Sequence, residues 1–258
     1  MLTKNLKKLI YRFKQPTYKK RLGKTKFYRI YNFHIRKCGG TSMNIGFTSF
    51  PNNNKKNYDK LVTQPQNKLI IDKLPIVGWN LAILKRGSFW YGFSHHQYDK
   101  IFPLKKGTFT FTFLRDPVKR VLSLYNMLLD YSKNENHYEK ALEEEIKWLG
   151  NSFHEFIDNL PRQHLQNQLY MFSSKFDEAE AYDNLKKINF VGFVGKDEKK
   201  FLDFIRESFY IDIEYEHSYK STTDYQPTKS DISYLKIKLK EEYSFYEKVT
   251  SNLKSLYR

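Results

Sequence analysis

Short continuous apolar runs alternate along this chain with stretches of helical spacing. Phe27 to Ile35, rich in aromatic and branched residues, reads as a first buried strand. Gly39-Gly40 follow, and Thr41 is expected to cap a helix running to about Phe50. Pro51 to Asn57 reads as an Asn/Lys loop. Residues 58–87 yield no firm element, because Pro65 and Pro75 break any long one. Phe89 to Ser94 reads as a second strand, ending at His95-His96. Thr108 to Leu114 reads as a third, with the little polar interruption expected of a buried parallel strand. Asp116-Pro117 then opens a helix, with Asp at the cap and Pro at the first helical position. Val118, Val121, Leu122, Tyr125 and Leu129 form its apolar face.

Further on, the pattern predicts helices at 138–149, 153–159 and 162–172. A fourth strand, Phe190 to Val194, comes before helices at about 196–209 and 231–257. Residues 215–229 are polar and turn-rich, a candidate lid. Strands alternating with helices imply an α/β fold: one domain with a central parallel sheet flanked by helices. No internal repeat appears. The expected organisation is a basic N-terminal extension over residues 1–25 and one α/β domain over 26–258. Leu6, Leu9, Ile10, Tyr11 and Phe13 among the lysines and arginines of the extension leave two readings, a basic amphipathic helix on a membrane surface or a loosely docked tail.

Composition narrows the class. Hydrophobic residues make up 40% of the 258 and aromatics 17%, enough to bury a core and to argue against disorder. No apolar run approaches the ~20 residues that span a bilayer, and no cleavable secretory signal is evident. A single cysteine, Cys38, excludes an intrachain disulfide framework. With no Asn-x-Ser/Thr sequon, a cytoplasmic location is expected. The net charge of +17 fits anionic partners, or lysines simply spread over the surface, and does not by itself choose a function.

Two segments carry the chemistry. In His34-Ile35-Arg36-Lys37-Cys38-Gly39-Gly40-Thr41-Ser42, a strand delivers Lys37 to a glycine turn at a helix start, where unpaired N–H groups attract anions. The alternative is an ordinary strand-to-helix turn. It is not a Walker A loop. The Gly23-Lys24-Thr25 triplet lies before the strand and has Tyr18 where that motif needs glycine, which removes most support for a kinase or ATPase. In Phe113-Leu114-Arg115-Asp116-Pro117-Val118-Lys119-Arg120-Val121-Leu122-Ser123, Arg115 ends a buried strand and Ser123 lies about two turns into the next helix. Arg115 is placed to bind phosphate in bidentate fashion or to pair with a local carboxylate. Adjacent strand residues point to opposite faces, so His95 and His96 do not form a zinc pair, and no cysteine or carboxylate cluster completes a metal site. One of the two at the strand's C-terminal end would serve as a base or as a hydrogen-bonded structural histidine.

These residues resemble a known family. The first segment is similar to the "HIPKTGGTS" loop of carbohydrate sulfotransferases of the heparan 2-O type and their bacterial relatives. The second resembles their "RDPVERxxS" segment, and Ser94-His95-His96-Gln97-Tyr98 their "GHxxY". Leu165-Gln166-Asn167-Gln168 resembles a further "NLQT"-like stretch, and Phe190-Val191-Gly192 an "FVG" strand. The resemblance implies a P-loop-like domain that uses 3′-phosphoadenosine 5′-phosphosulfate (PAPS) as sulfuryl donor, with no metal, and sulfates a hydroxyl of a carbohydrate, an anionic glycan among the candidates. It implies that Lys37, Cys38, Gly39, Gly40, Thr41 and Ser42 hold the 5′-phosphosulfate. Arg115 and Ser123 would hold the 3′-phosphate, Lys37 would stabilise the leaving group, and His95 would act as base. Arg36, Cys38 and Ser94 depart from the pattern, standing where the family has Pro, Thr and Gly. Arg36 frees a backbone N–H and adds a cation, whereas Cys38 loses a hydroxyl. The competing expectations are a basic nucleic-acid-binding protein and a non-catalytic protein with a PAPS-type nucleotide pocket.

Overall fold

The strand Thr108–Leu114 (β5) shows how the sheet is buried on both faces. Phe109, Phe111 and Phe113 alternate with Thr110, Thr112 and Leu114, and every residue from Phe109 on is buried. The threonines are tolerated because their hydroxyls are bonded: Thr112 donates to the Phe33 carbonyl at 2.8 Å and Thr110 to Asn189 at 3.0 Å. The computed structural model describes residues 20–133, 140–215 and 221–252. In it β5 belongs to a six-stranded sheet with Arg29–Phe33 (β1), Lys68–Ile71 (β2), Leu74–Gly78 (β3), Tyr91–Ser94 (β4) and Phe190–Phe193 (β6), in the order β2-β3-β4-β1-β5-β6. All pairings are parallel except β2 with β3. The mostly parallel α/β sheet anticipated from the sequence is therefore present.

Helices cover both faces. Gly40–Ser49 (α1) and Asn57–Thr63 (α2) place Met43, Phe47 and Leu61 against Ile30, Tyr91 and the three β5 phenylalanines. The opposite face is covered by Leu81–Arg86 (α3), with Tyr98–Ile101 (α4) beside it. Pro117–Lys133 (α5), Lys140–Ile146 (α6) and Phe153–Asn159 (α7) follow; Val121, Leu124 and Leu128 of α5 meet Phe153 and Phe156 of α7 in a third apolar cluster. Arg162–Leu165 (α8) adds Leu165 to that third cluster, while Asn167–Phe172 (α9) and Glu178–Leu185 (α10) run back beneath Tyr31 and Phe33. Glu198–Phe209 (α11) joins the α1 face through Phe201 and Ile205. Lys229–Lys238 (α12) and Lys240–Asn252 (α13) complete the chain.

The expected helix at 162–172 is divided at Gln166, and the terminal one at Leu239. Residues 253–257 of the latter, residues 138–139 of the helix expected at 138–149, residues 1–19 of the basic extension and residues 216–220 of the candidate lid lie outside the described residues. The described end of the extension docks: Leu22 is buried with Ile30 and Phe209. Residues 58–87, which gave no firm pattern, hold most of α2, whose first residue Asn57 was expected in a loop, together with the β2–β3 hairpin and α3. Among the described residues no helix is long and apolar enough to cross a membrane.

β1 lies between β4 and β5, and the chain leaves β1 toward one edge and later returns on its other side at β5. Such a switch point opens a crevice at the C-terminal ends of the strands. The segments after β1, β4 and β5 carry Lys37, His95 and Arg115.

Candidate active site

The turn after β1 is built from two residues in left-handed backbone, Lys37 (φ 63°) and Gly39 (φ 73°). Gly39 occupies the cap position of α1 with no side-chain cap, so α1 begins at Gly40 and Thr41 falls inside its first turn instead of capping it. The amides of a helix's first turn have no intrahelical acceptor and point at whatever lies before the helix. Gly40 is required for space: a Cβ there would overlap the His34 ring. That ring is fixed by Asn44 of α1, whose Nδ2 donates to His34 Nδ1 at 3.1 Å, while Asn44 Oδ1 accepts from Asn32 (3.0 Å) and from the Tyr91 hydroxyl (2.6 Å).

The segments carrying Lys37 and Arg115 meet. Arg115 Nη1 donates to the Lys37 carbonyl at 3.1 Å. Desolvation, then the Arg36 and Arg115 charges, lower the Lys37 amine from 10.5 to about 8, with Asp130 opposing. An anion held here would relieve that repulsion and keep the amine protonated. The Arg115 backbone is clamped in turn by the buried Gln168, which accepts from the Arg115 N–H at 2.8 Å and donates to its carbonyl at 2.9 Å. Glu242 of α13 accepts from Gln168 Nε2 (3.0 Å) and from its N–H (2.9 Å) and pairs with the fully buried Arg120 at 3.2 Å.

His95 follows β4. Its Nδ1–H donates to the His34 carbonyl at 2.5 Å, which selects the tautomer with a free lone pair on Nε2. Desolvation first, then the Arg36 charge, lower its pKa to about 4, although the residue as a whole is exposed. It is therefore neutral near pH 7, a proton acceptor rather than a cation. His96 is the structural member of the pair, with Nε2 donating to the Trp79 carbonyl at 3.0 Å.

An open cleft of about 600 Å³ lies beside this turn, with Lys37 and Thr41 in its lining. Gly39 and Gly40 are the backbone of that turn, and Ser42 is buried one step further into α1. His95 adjoins the cleft through Trp79, with ring centroids 6.0 Å apart. Ser123 is half-buried one turn before Met127 and two before Asp130 on the same face of α5, and both of those line the cleft.

Two departures from the family pattern acquire physical meaning. The Cys38 side chain does not face the cleft: its thiol lies in the core 3.7 Å from Gln168 Oε1, raised to about 12 by burial, and its N–H donates to the Ile35 carbonyl at 3.3 Å. Cys38 thus offers an anion neither side chain nor amide, contrary to its expected binding role, and the lost hydroxyl removes no contact. The N–H that Arg36 gains over proline is not left for a ligand either. It donates to Asn167 Oδ1 at 3.3 Å, and the guanidinium forms a two-pronged pair with Glu145 at 2.7 Å per bond. Arg36 tethers the turn to α6 and α9.

Sequence reasoning did not single out Asn44, Asp130 or Tyr215. The Tyr215 hydroxyl stands 3.6 Å from where a Gly39 Cβ would be, within the field of Arg115. Asp130 accepts from the amides of Thr222 and Thr223 at 2.7 and 2.8 Å, fastening the middle of the candidate lid to α5. Among the described residues no group of three His, Cys, Asp or Glu side chains could hold a metal ion.

The chain matches the family model described as "Sulfotransferase family" over residues 24–254. No curated protein matches it.

Proposed function

The chain belongs to the sulfotransferase family, and on that premise we propose that it moves a sulfuryl group from PAPS to a hydroxyl of a carbohydrate. The observation that supports this reading is the bond from Arg115 to the Lys37 carbonyl, which holds two cationic, helix-starting segments side by side. A donor with anionic groups at both its 5′ and 3′ ends fits such a pair of sites.

In this reading Lys37 and the first-turn amides of α1, from Gly39 to Ser42, hold the 5′-phosphosulfate. Arg115 and Ser123 hold the 3′-phosphate. When bound, PAPS supplies an activated sulfur. The acceptor oxygen forms its bond to sulfur as the bond from sulfur to the 5′-phosphate oxygen breaks, and 3′,5′-ADP departs. The acceptor's proton passes to His95 Nε2, which the bond from Nδ1 to the His34 carbonyl leaves as the basic nitrogen. Lys37 neutralises charge developing on the leaving oxygen.

Transfer of labelled sulfate from PAPS to oligosaccharides tests the reading. Lys37→Ala and His95→Ala are each expected to lower turnover by roughly 10² or more, and His95→Ala to leave 3′,5′-ADP affinity nearly unchanged. Near-wild-type turnover in His95→Ala would contradict the base assignment.

A further inference from the structure

The cleft beside Lys37 has a charge opposite to that of the chain as a whole. Its lining brings three aromatic side chains, Tyr58, Trp79 and Tyr131, together with two carboxylates, Asp59 and Asp130. Lys37 is the one cation among the described lining residues, and in the proposed reaction its charge is committed to the donor. What remains for the acceptor is a surface of aromatic rings and two negative charges, in a chain of net charge +17.

These groups are held in place. Trp79 has left-handed backbone (φ 51°), uncommon for a bulky residue. Its N–H donates to the Phe93 carbonyl at 3.0 Å and its own carbonyl accepts from His96, which fixes the indole between Phe93 and His95. An aromatic platform thus stands next to the base, where the reacting hydroxyl has to be. Burial works against ionisation of Asp130, but bonds from Thr223, Ser221 and Thr222 keep its pKa well below the usual carboxylate range. Its charge persists at any pH at which His95 is a base.

We propose that the acceptor is a glycan with no acidic group near its reacting hydroxyl: a neutral or amine-bearing sugar that stacks on Trp79 and its neighbouring rings and meets Asp59 and Asp130 with hydroxyl or ammonium donors. The proposal rests on the sulfuryl-transfer reading. Sugar rings present apolar C–H faces that suit aromatic walls, and ammonium groups suit both rings and carboxylates. A uronate placed in the same space would face two like charges at short range in a partly desolvated cleft. The chain's total charge, which is compatible with an anionic glycan, is not reproduced in this lining, where two carboxylates stand beside one lysine.

The test is calorimetric titration of the full chain, free and saturated with 3′,5′-ADP, with three tetrasaccharides: a neutral β-1,4-glucan, a fully deacetylated chitin fragment and an alternating uronate–N-acetylglucosamine fragment. The neutral or the amine-bearing fragment is expected to bind at least about tenfold more tightly than the uronate. Asp59→Asn, a change at an exposed side chain, should narrow that gap by strengthening uronate binding, and Trp79→Ala should weaken all binding. Uronate binding as tight as or tighter than the others, an unchanged preference in Asp59→Asn, or no binding by any of the three would overturn the proposal. Failure of 3′,5′-ADP to bind would instead contradict the donor reading and leave the saccharide preference of the free protein to be read separately.

Discussion

Lys37 holds a left-handed backbone conformation that costs an L-residue about 1–2 kcal/mol. The fold retains it because its carbonyl then meets Arg115, and because Arg36, next in the chain, is anchored to Glu145. Desolvation first and the Arg36 charge second depress both Lys37 and His95, so one cation contributes to both ends of the working pH range. The proposed mechanism needs His95 neutral and Lys37 protonated. Accordingly kcat/KM is expected to rise with pH through about 4 and to fall through about 8. In Arg36→Ala both limbs should move upward, since removing a cation favours the protonated form of each neighbour; a profile unmoved by that change would contradict the assignment. Gly40 sets a steric limit at the same turn. Gly40→Ala would push on a His34 ring that Asn44 already fixes, and through the His34 carbonyl on His95. A loss of about 1–3 kcal/mol in urea denaturation is expected, and a stability equal to wild type would show that the ring can yield.

At the scale of elements, β1, β4, β5 and β6 were legible because each is a short apolar run buried on both faces. The β2–β3 hairpin was not. Its two-residue turn is Asp72-Lys73, both at positive φ, with neither Gly nor Asn to announce it, and Pro75 sits inside β3 opposite Ile70 of the edge strand. The placement of Lys37, His95 and Arg115 after successive strand ends could be read in the chain, since a strand–turn–helix order dictates it. What joins them could not. Gln168 reaches Arg115 across 53 positions and Cys38 across 130, and such contacts leave no local pattern. The α13 helix matters to the site through this network: Glu242 anchors Gln168 and neutralises the buried Arg120. Glu242→Ala leaves that guanidinium uncompensated and is expected to cost about 3–5 kcal/mol of unfolding free energy. A shift in urea midpoint worth less than 1 kcal/mol, taking about that value as the limit for an exposed pair, would mean the buried pair is not what holds α13 to the strand ends.

For the molecule as a whole, the sheet order places the ends of three adjacent parallel strands around one crevice, and the sulfotransferase family match covers nearly all of the chain that builds it. A chain with 45 lysines and arginines against 28 acidic residues has a cleft whose own lining includes two carboxylates and one lysine, so bulk charge and local chemistry point to different ligands. A protein that merely bound polyanions through its surface would show steep salt dependence and no preference among small nucleotides. The central claim is narrower: one crevice grips a nucleotide at both its 5′ and its 3′ phosphate. Calorimetric titration of 3′,5′-ADP and 5′-AMP into the wild type and Arg115→Ala tests it directly. The account predicts that 3′,5′-ADP binds the wild type roughly ten- to a hundredfold more tightly than 5′-AMP, the range for one charged hydrogen-bonding site, and that Arg115→Ala removes the difference. Equal affinity for the two nucleotides in the wild type, or a preference that survives the loss of Arg115, would contradict it.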